Sequence, residues 1–127
     1  MIAVDTSALM AIALNETDAS SCVAALDQSL DVLISAGTMA ETHVVATRRG
    51  VAMKMEALLK GYGFTVIGLD GASARRVGEA YSRWGRGVHP AALNLGDCFA
   101  YVVAKEHSCP LLFIGNDFSQ TDIRSVL

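Results

Sequence analysis

The stretch Ile2-Ala3-Val4-Asp5-Thr6-Ser7 joins three apolar residues directly to three polar ones. The apolar run predicts a short buried strand, and the polar residues predict the start of a helix that continues to about Asn15. Leu111-Leu112-Phe113-Ile114 repeats the apolar run late in the chain, and Gly115-Asn116-Asp117 follows it as a turn. Short buried strands that lead directly into turns and helices are typical of α/β folds.

Helices and strands alternate between these two runs. Helices are predicted over residues 18–29, 37–49, 51–60, 70–84 and 94–107, and strands over residues 31–35 and 64–69. Residues 85–92 are predicted as a loop, and the tail has room for a short edge strand. The alternation predicts an α/β fold with a mainly parallel sheet. A chain of 127 residues fits one domain, residues 1–127.

Composition and charge narrow the class of protein. Hydrophobic residues make up 52% and charged residues 18%, which excludes a disordered chain. The sequence has no apolar run long enough for a membrane span and no basic segment at its start, so neither an anchor nor a signal peptide is expected. Three cysteines without a CxxC pair argue against zinc or disulfides and favour the cytoplasm.

The basic residues are unevenly distributed. Residues 1–47 contain no Lys or Arg, whereas eight follow between residues 48 and 86. This pattern is compatible with a phosphate-binding rim beside an acidic site. Solvated helix faces also explain it, and on charge alone that interpretation is favoured.

Four acidic residues occupy positions from which they can face one edge of the sheet. Asp5 and Asp117 follow two strands, and ligands of open α/β sheets bind outside the carboxyl ends of strands. Glu41 and Asp97 each stand three residues after a capping residue, Thr38 and Asn94, so both are expected in a first helical turn. Taken singly, Asp5 is better explained by helix capping and Asp117 by an Asx turn, whereas for Glu41 and for Asp97 a capping box and a functional role are equally good explanations.

Four carboxylates in one cleft repel each other unless a cation neutralises them. An all-oxygen set without His or Cys favours Mg²⁺, or Mn²⁺, over zinc. Such a cation can activate water for in-line attack on phosphorus, so phosphodiester hydrolysis is the reaction that the site would suit.

Four stretches resemble the PIN-domain family, and more closely the VapC-type toxins of VapBC pairs. They are residues 2–9 (IAVDTSAL), 39–42 (MAET), 93–101 (LNLGDCFAY) and 111–118 (LLFIGNDF). The resemblance implies a three-layer α/β/α sandwich that cleaves RNA with Mg²⁺ or Mn²⁺, and a VapB-like antitoxin that blocks the site. It implies that Asp5, Glu41, Asp97 and Asp117 are the catalytic, metal-binding quartet, and that Thr6 and Asn94 orient carboxylates or water. A homodimer is also expected.

Several other residues have a functional and a structural explanation. Arg83, Arg86 and His89 are candidate RNA contacts, with a solvated loop as the alternative. Trp84 could stack on a base, although packing on the core is favoured. Cys98 is expected to be buried rather than nucleophilic. Apolar residues 8–14 and 22–26 are predicted to bind the antitoxin, and the alternative is that they are core.

Other functions are less well supported. A receiver-type phosphoacceptor would have a paired acid at the first strand, and an aspartate-nucleophile phosphatase would have a second Asp in place of Ser7. No glycine-rich nucleotide loop occurs. A non-catalytic RNA- or protein-binding module of the same fold remains an alternative, as does a housekeeping PIN nuclease without an antitoxin.

Overall fold

The computed structural model describes residues 1–127 and contains four strands and six helices. The strands are β1 (Ile2–Val4), β2 (Val32–Ser35), β3 (Thr65–Ile67) and β4 (Leu111–Leu112). The helices are α1 (Thr6–Ala13), α2 (Ala19–Asp27), α3 (Ala36–Arg48), α4 (Ala52–Tyr62), α5 (Gly71–Trp84) and α6 (Leu95–Glu106). None of the helices is long and apolar enough to span a membrane.

The strands form one parallel sheet in the order β3-β2-β1-β4. Strand β1 lies inside the sheet, where Ala3 is opposite Leu33 of β2 and Leu111 of β4. Because every strand runs the same way, all four carboxyl ends lie at one edge. The predicted parallel sheet is confirmed, and Asp5 leaves its interior strand at that edge.

Successive residues of β1, β2 and β4 enter different cores, as the two-residue period of a strand requires. Ala3, Leu33 and Leu111 belong to one apolar cluster with residues of α5 and α6. Val4, Ile34 and Leu112 belong to a second cluster with residues of α1 to α4. The result is the expected α/β/α sandwich, with one core on each face of the sheet.

The structure shifts several predicted boundaries. Helix α4 continues through Tyr62 and ends at Gly63, which has φ 60°. Strand β4 is two residues long instead of four. The tail adds no strand, only a single parallel bridge between Leu111 and Ser125. Helix α3 begins at Ala36, one residue before its predicted start, and this difference matters for the site.

Candidate active site

Asp5 stands where β1 passes into α1. Its carboxylate caps α1 and is buried, with 5% of the residue exposed. Oδ2 accepts hydrogen bonds from the Ser7 backbone N–H (3.0 Å) and from the Ser7 hydroxyl (2.6 Å). Burial raises the pKa of Asp5 to about 6; the Ser7 bonds oppose this rise, and the charge of Glu41 adds to it. Capping and membership of an acidic cluster therefore occur together at this residue.

Glu41 is not positioned by the capping box that the sequence predicted. Ser35, not Thr38, caps α3 by accepting from the Gly37 N–H at 3.1 Å. The proposed capping box of Thr38 and Glu41 is therefore wrong, and Glu41 lies beyond the first turn. The hydroxyl of Thr38 is instead buried without a hydrogen-bond partner.

The Glu41 carboxylate is held by a neighbouring helix. Its Oε1 accepts a hydrogen bond from the Thr6 hydroxyl at 2.7 Å, and that hydroxyl lies 3.0 Å from the hydroxyl of Thr42. The other carboxylate oxygen lies where a side chain at Gly96 would be. Since Gly96 precedes Asp97, this contact brings Glu41 of α3 beside the start of α6.

Asp97 forms the capping box that its spacing predicts. Asn94 Oδ1 accepts from the Asp97 N–H (2.9 Å), and Asp97 Oδ2 accepts from the Asn94 N–H (3.0 Å). Burial is the main reason that the pKa of Asp97 rises to about 7. The Asn94 N–H opposes this rise, whereas the charges of Asp5, Asp117 and Glu41 add to it. Asp97 thus interacts electrostatically with the three other acids.

Asp117 lies on the turn that follows β4 and is exposed. The turn is shaped by Gly115, whose φ of 102° favours glycine. It is anchored by Phe118, which is 1% exposed and packs against Phe113 with ring centroids 5.0 Å apart. A buried aromatic residue therefore fixes the backbone that carries an exposed carboxylate.

The four acids lack a counter-charge from the protein. The three ion pairs of the chain use Glu106 and Asp122 as their acidic partners, and none uses the quartet. The donor set is entirely oxygen, and Gly96 leaves room for the Glu41 carboxylate. These features suit a hard divalent cation. However, no three His, Cys, Asp or Glu side chains are close enough to hold one ion as they stand, so the acids are neighbours and not a preformed ligand set.

The predicted RNA contacts lie apart from these interactions. Arg83 is 3.9 Å from Asp122 and lies over the Trp84 ring at 4.6 Å. His89 Nδ1 accepts a hydrogen bond from the Ala91 N–H, and its ring meets Trp84 edge-on. Arg86 is exposed and forms no ion pair. None of the three residues contacts a quartet acid through a hydrogen bond or ion pair.

Two structural explanations favoured from the sequence are correct. Trp84 is buried, and its indole N–H donates to the Tyr101 hydroxyl at 2.9 Å, so the ring is part of the core. Cys98 is fully buried, and burial raises the pKa of its thiol to about 11. Such a thiol is a poor nucleophile at neutral pH.

Most of the apolar residues that were predicted to bind an antitoxin are buried. In the segments 8–14 and 22–26, most apolar side chains are buried, and all of these except Ala11 belong to the core shared by α1 to α4: Ala8, Leu9, Met10, Ala11, Ala13, Cys22, Ala25 and Leu26. That prediction is therefore wrong for these residues. The apolar stripe of each helix faces the sheet, as it does in most amphipathic helices.

Sequence reasoning missed two hydroxyl residues. Ser7 bonds Asp5, and Thr42 contacts Thr6. A serine two residues after a capping aspartate is a local pattern that could have identified Ser7. No local pattern identifies Thr42, because its contact with Thr6 joins residues 36 positions apart.

Comparison with known proteins identifies the family. Residues 2–124 match the family model described as PIN domain. The chain belongs to the PIN-domain family. Its relatives include Ribonuclease VapC42 of Mycobacterium tuberculosis, which is 41% identical over 95% of both chains. Ribonuclease VapC36 of the same species is 40% identical over 94% of this chain and 89% of its own. The closeness of these relatives places this PIN domain among the VapC proteins.

Solved structures share the fold of this PIN domain. Mycobacterium tuberculosis VapC20, described as a Sarcin-Ricin loop cleaving toxin, superposes with a TM-score of 0.80 over 99% of this chain and 98% of its own, at 18% identity. A toxin-antitoxin complex from Klebsiella pneumoniae gives 0.72, with 96% and 93% covered and 19% identity. FitAcB from Neisseria gonorrhoeae gives 0.71, with 98% and 96% covered and 21% identity. At these identities the likeness concerns the fold alone.

Proposed function

We propose that this protein is a metal-dependent endoribonuclease and the toxin of a type II toxin–antitoxin pair. The observation that carries the proposal is the environment of Asp97, a buried carboxylate that interacts electrostatically with Asp5, Glu41 and Asp117. Clustered negative charge at a buried position destabilises the fold, and such clusters are found mainly at functional sites. The VapC ribonucleases that resemble the chain supply the class of reaction.

The four acids are the proposed ligands of Mg²⁺, with Mn²⁺ as a substitute. When bound, the cation would supply Lewis acidity for the hydrolysis of an RNA phosphodiester. Hydrogen bonds within the chain hold three of the four carboxylates. The Ser7 hydroxyl donates to the Asp5 carboxylate, the Thr6 hydroxyl to that of Glu41, and the Asn94 backbone N–H to that of Asp97. Each of these hydrogen bonds favours one orientation of a carboxylate that would otherwise turn freely.

Arg83, Arg86 and His89 are proposed to contact RNA phosphates away from the cleaved bond. Arg86 is the best placed, because it is exposed and unpaired, whereas Arg83 is within 4 Å of Asp122. Phosphate contacts make affinity fall as salt rises. Changing Arg83 and Arg86 to Ala should flatten that dependence in a binding titration.

Cleavage of a mixed RNA pool tests the proposed activity. The wild-type protein should cut RNA with Mg²⁺ or Mn²⁺ and lose that activity in chelator, whereas a binding module would be unaffected. Asp5→Asn and Asp97→Asn should reduce cleavage at least a hundredfold. Asp31→Asn, at an exposed acid ahead of β2, is the matched control. Cleavage at the wild-type rate by either site variant would remove that acid from the proposed site.

An antitoxin partner follows from the proposed role. An acidic pocket open to RNA also attracts Arg or Lys, so a VapB-like peptide is expected to insert a basic side chain among the quartet. Wild-type protein expressed alone should arrest bacterial growth, and Asp5→Asn should not. A small protein encoded beside the gene should restore growth and co-purify. Growth without arrest would leave a housekeeping nuclease as the better assignment.

We also propose that two copies pair through exposed apolar side chains at the edge of the groove between α3 and α6, so that Glu41, which also lines this groove, stays open to RNA. Val44 and Leu95 line the groove and are 59% and 62% exposed. Light scattering should give twice 13.4 kDa, and Val44→Asp should give the monomer mass. Met53→Asp, at an apolar residue exposed elsewhere, is the control.

The cytoplasm is the proposed location of the protein. Its three cysteines are free and buried, which favours a reducing compartment.

A further inference from the structure

Ser7 connects two of the segments that carry the acids. Its hydroxyl has one proton, which it donates to Asp5 Oδ2 at 2.6 Å. The Ser7 hydroxyl oxygen also accepts a hydrogen bond, from the Ile114 N–H at 3.0 Å. Since Ile114 lies three residues before Asp117, one hydroxyl both holds Asp5 and holds the chain that leads to Asp117.

The Ile114 contact is needed because β4 is short. Ladder pairing of β1 with β4 ends at Val4 and Leu112, and the last backbone bond between them runs from the Asp5 N–H to the Leu112 carbonyl at 3.0 Å. Beyond that point the backbone of residues 113–117 has no strand beside it. The Ser7 hydroxyl takes the place of a ladder partner for Ile114, 107 positions away in sequence.

We propose that Ser7 is a positioning residue of the active site, which fixes the spacing between Asp5 and Asp117 for a shared divalent cation. This inference rests on the proposed function, because it concerns the same site. Ser7 would not contact the substrate or the cation. It acts through Asp5 by its hydroxyl proton, and through the turn at Asp117 by accepting from Ile114.

Mn²⁺ binding to the RNA-free protein tests this role without a measurement of activity. Ser7→Ala keeps the backbone N–H that also bonds Asp5, so the variant isolates the hydroxyl. Removing a partner that orients a metal ligand costs about ten- to a hundredfold in affinity, and this loss is expected here. Ser7→Thr retains the hydroxyl and should restore most of the affinity. Ser82→Ala, at an exposed serine of α5 that bonds its own helix, should bind like wild type.

Amide hydrogen exchange supplies a second measurement that needs no variant. The Ile114 N–H of the metal-free wild type should exchange about as slowly as that of Asp5, and far more slowly than that of exposed Gly115. Wild-type Mn²⁺ affinity in Ser7→Ala, or rapid exchange at Ile114, would overturn the role of Ser7 alone. Equal Mn²⁺ binding by wild type and Asp5→Asn would instead overturn the proposed metal site.

Discussion

At the scale of single residues, Gly96 shows how the site depends on an absent side chain. The Glu41 carboxylate occupies the space that a Cβ at position 96 would need. Helix α6 would otherwise favour Ala there, because Gly inside a helix costs up to about 1 kcal/mol relative to Ala. The glycine therefore serves the carboxylate of a neighbouring helix and not the helix that contains it.

Gly96→Ala should leave the fold intact while displacing Glu41, since the end of a flexible side chain moves more easily than a backbone. We expect cleavage and Mn²⁺ affinity to fall at least tenfold, with little change in melting temperature. Gly78→Ala is the matched control, because Gly78 lies in α5 with nothing near its missing Cβ. It should raise stability slightly and leave cleavage unchanged. Undiminished cleavage by Gly96→Ala would show that the position of Glu41 is not critical.

Local sequence patterns predicted the hydrogen bonds of some site residues, whereas other site residues were identified only by resemblance to the family. The spacing of Asn94 and Asp97 predicted a capping box, which the structure contains. Such a box depends only on residues within one helical turn, so sequence suffices. The partner of Glu41 is Thr6, 35 positions away, and no periodicity in the chain indicates that contact. Whether the four acids act in catalysis remains a prediction.

At the scale of elements, the start of α3 shows where capping patterns mislead. Thr38 and Glu41 have the right spacing, but Ser35 at the end of β2 caps the helix earlier. The strand ends in a serine, so the chain turns into the helix without a loop. Thr38 then lies inside the helix, fully buried, and its backbone oxygen accepts from the Thr42 hydroxyl at 2.8 Å.

Stability measurements distinguish the two possible helix starts. Ser35→Ala removes the cap and should lower the free energy of unfolding by about 1 kcal/mol. Thr38→Val replaces a buried hydroxyl without a partner and should raise it by up to about 1 kcal/mol. Thr42→Val serves as the comparison and should destabilise, because it removes two hydroxyl contacts. If Thr38 were the cap, Thr38→Val would cost stability in the same denaturant titrations.

At the scale of the whole molecule, the sheet gathers acids from distant parts of the chain. Asp5 and Asp117 follow adjacent parallel strands, and their place at one edge of the sheet could be predicted from the rule that such strands share a carboxyl edge. The packing of α3 against α6 could not be predicted, because it depends on Gly37 lying against Phe99 and Gly96 against Glu41. The apolar faces of α1 and α2 are buried in the core. The sequence could not predict this, because an exposed apolar face that binds a partner has the same pattern.

The clustered acids should make the metal-free protein less stable as pH rises. The folded-state pKa values of Asp5 and Asp97 are about 6 and about 7, against an ordinary value of 3.8. Between pH 4 and 7 the folded chain therefore binds more protons than the unfolded chain. The stabilisation that these protonated acids provide is complete below pH 3.8 and is lost as pH rises through 6 and 7.

Denaturant titrations in chelator should accordingly show higher stability at pH 5 than at pH 8, by up to roughly 4 kcal/mol. Asp97→Asn should reduce this difference and should be at least as stable as wild type at pH 8. Glu56→Gln, at an exposed acid of α4, should leave the difference unchanged. Mg²⁺ should stabilise the wild type at pH 8 and have much less effect on Asp97→Asn, because binding to the folded state alone shifts unfolding. Metal-free stability that stays level or rises from pH 5 to 8 would mean that burial of these carboxylates carries no such cost.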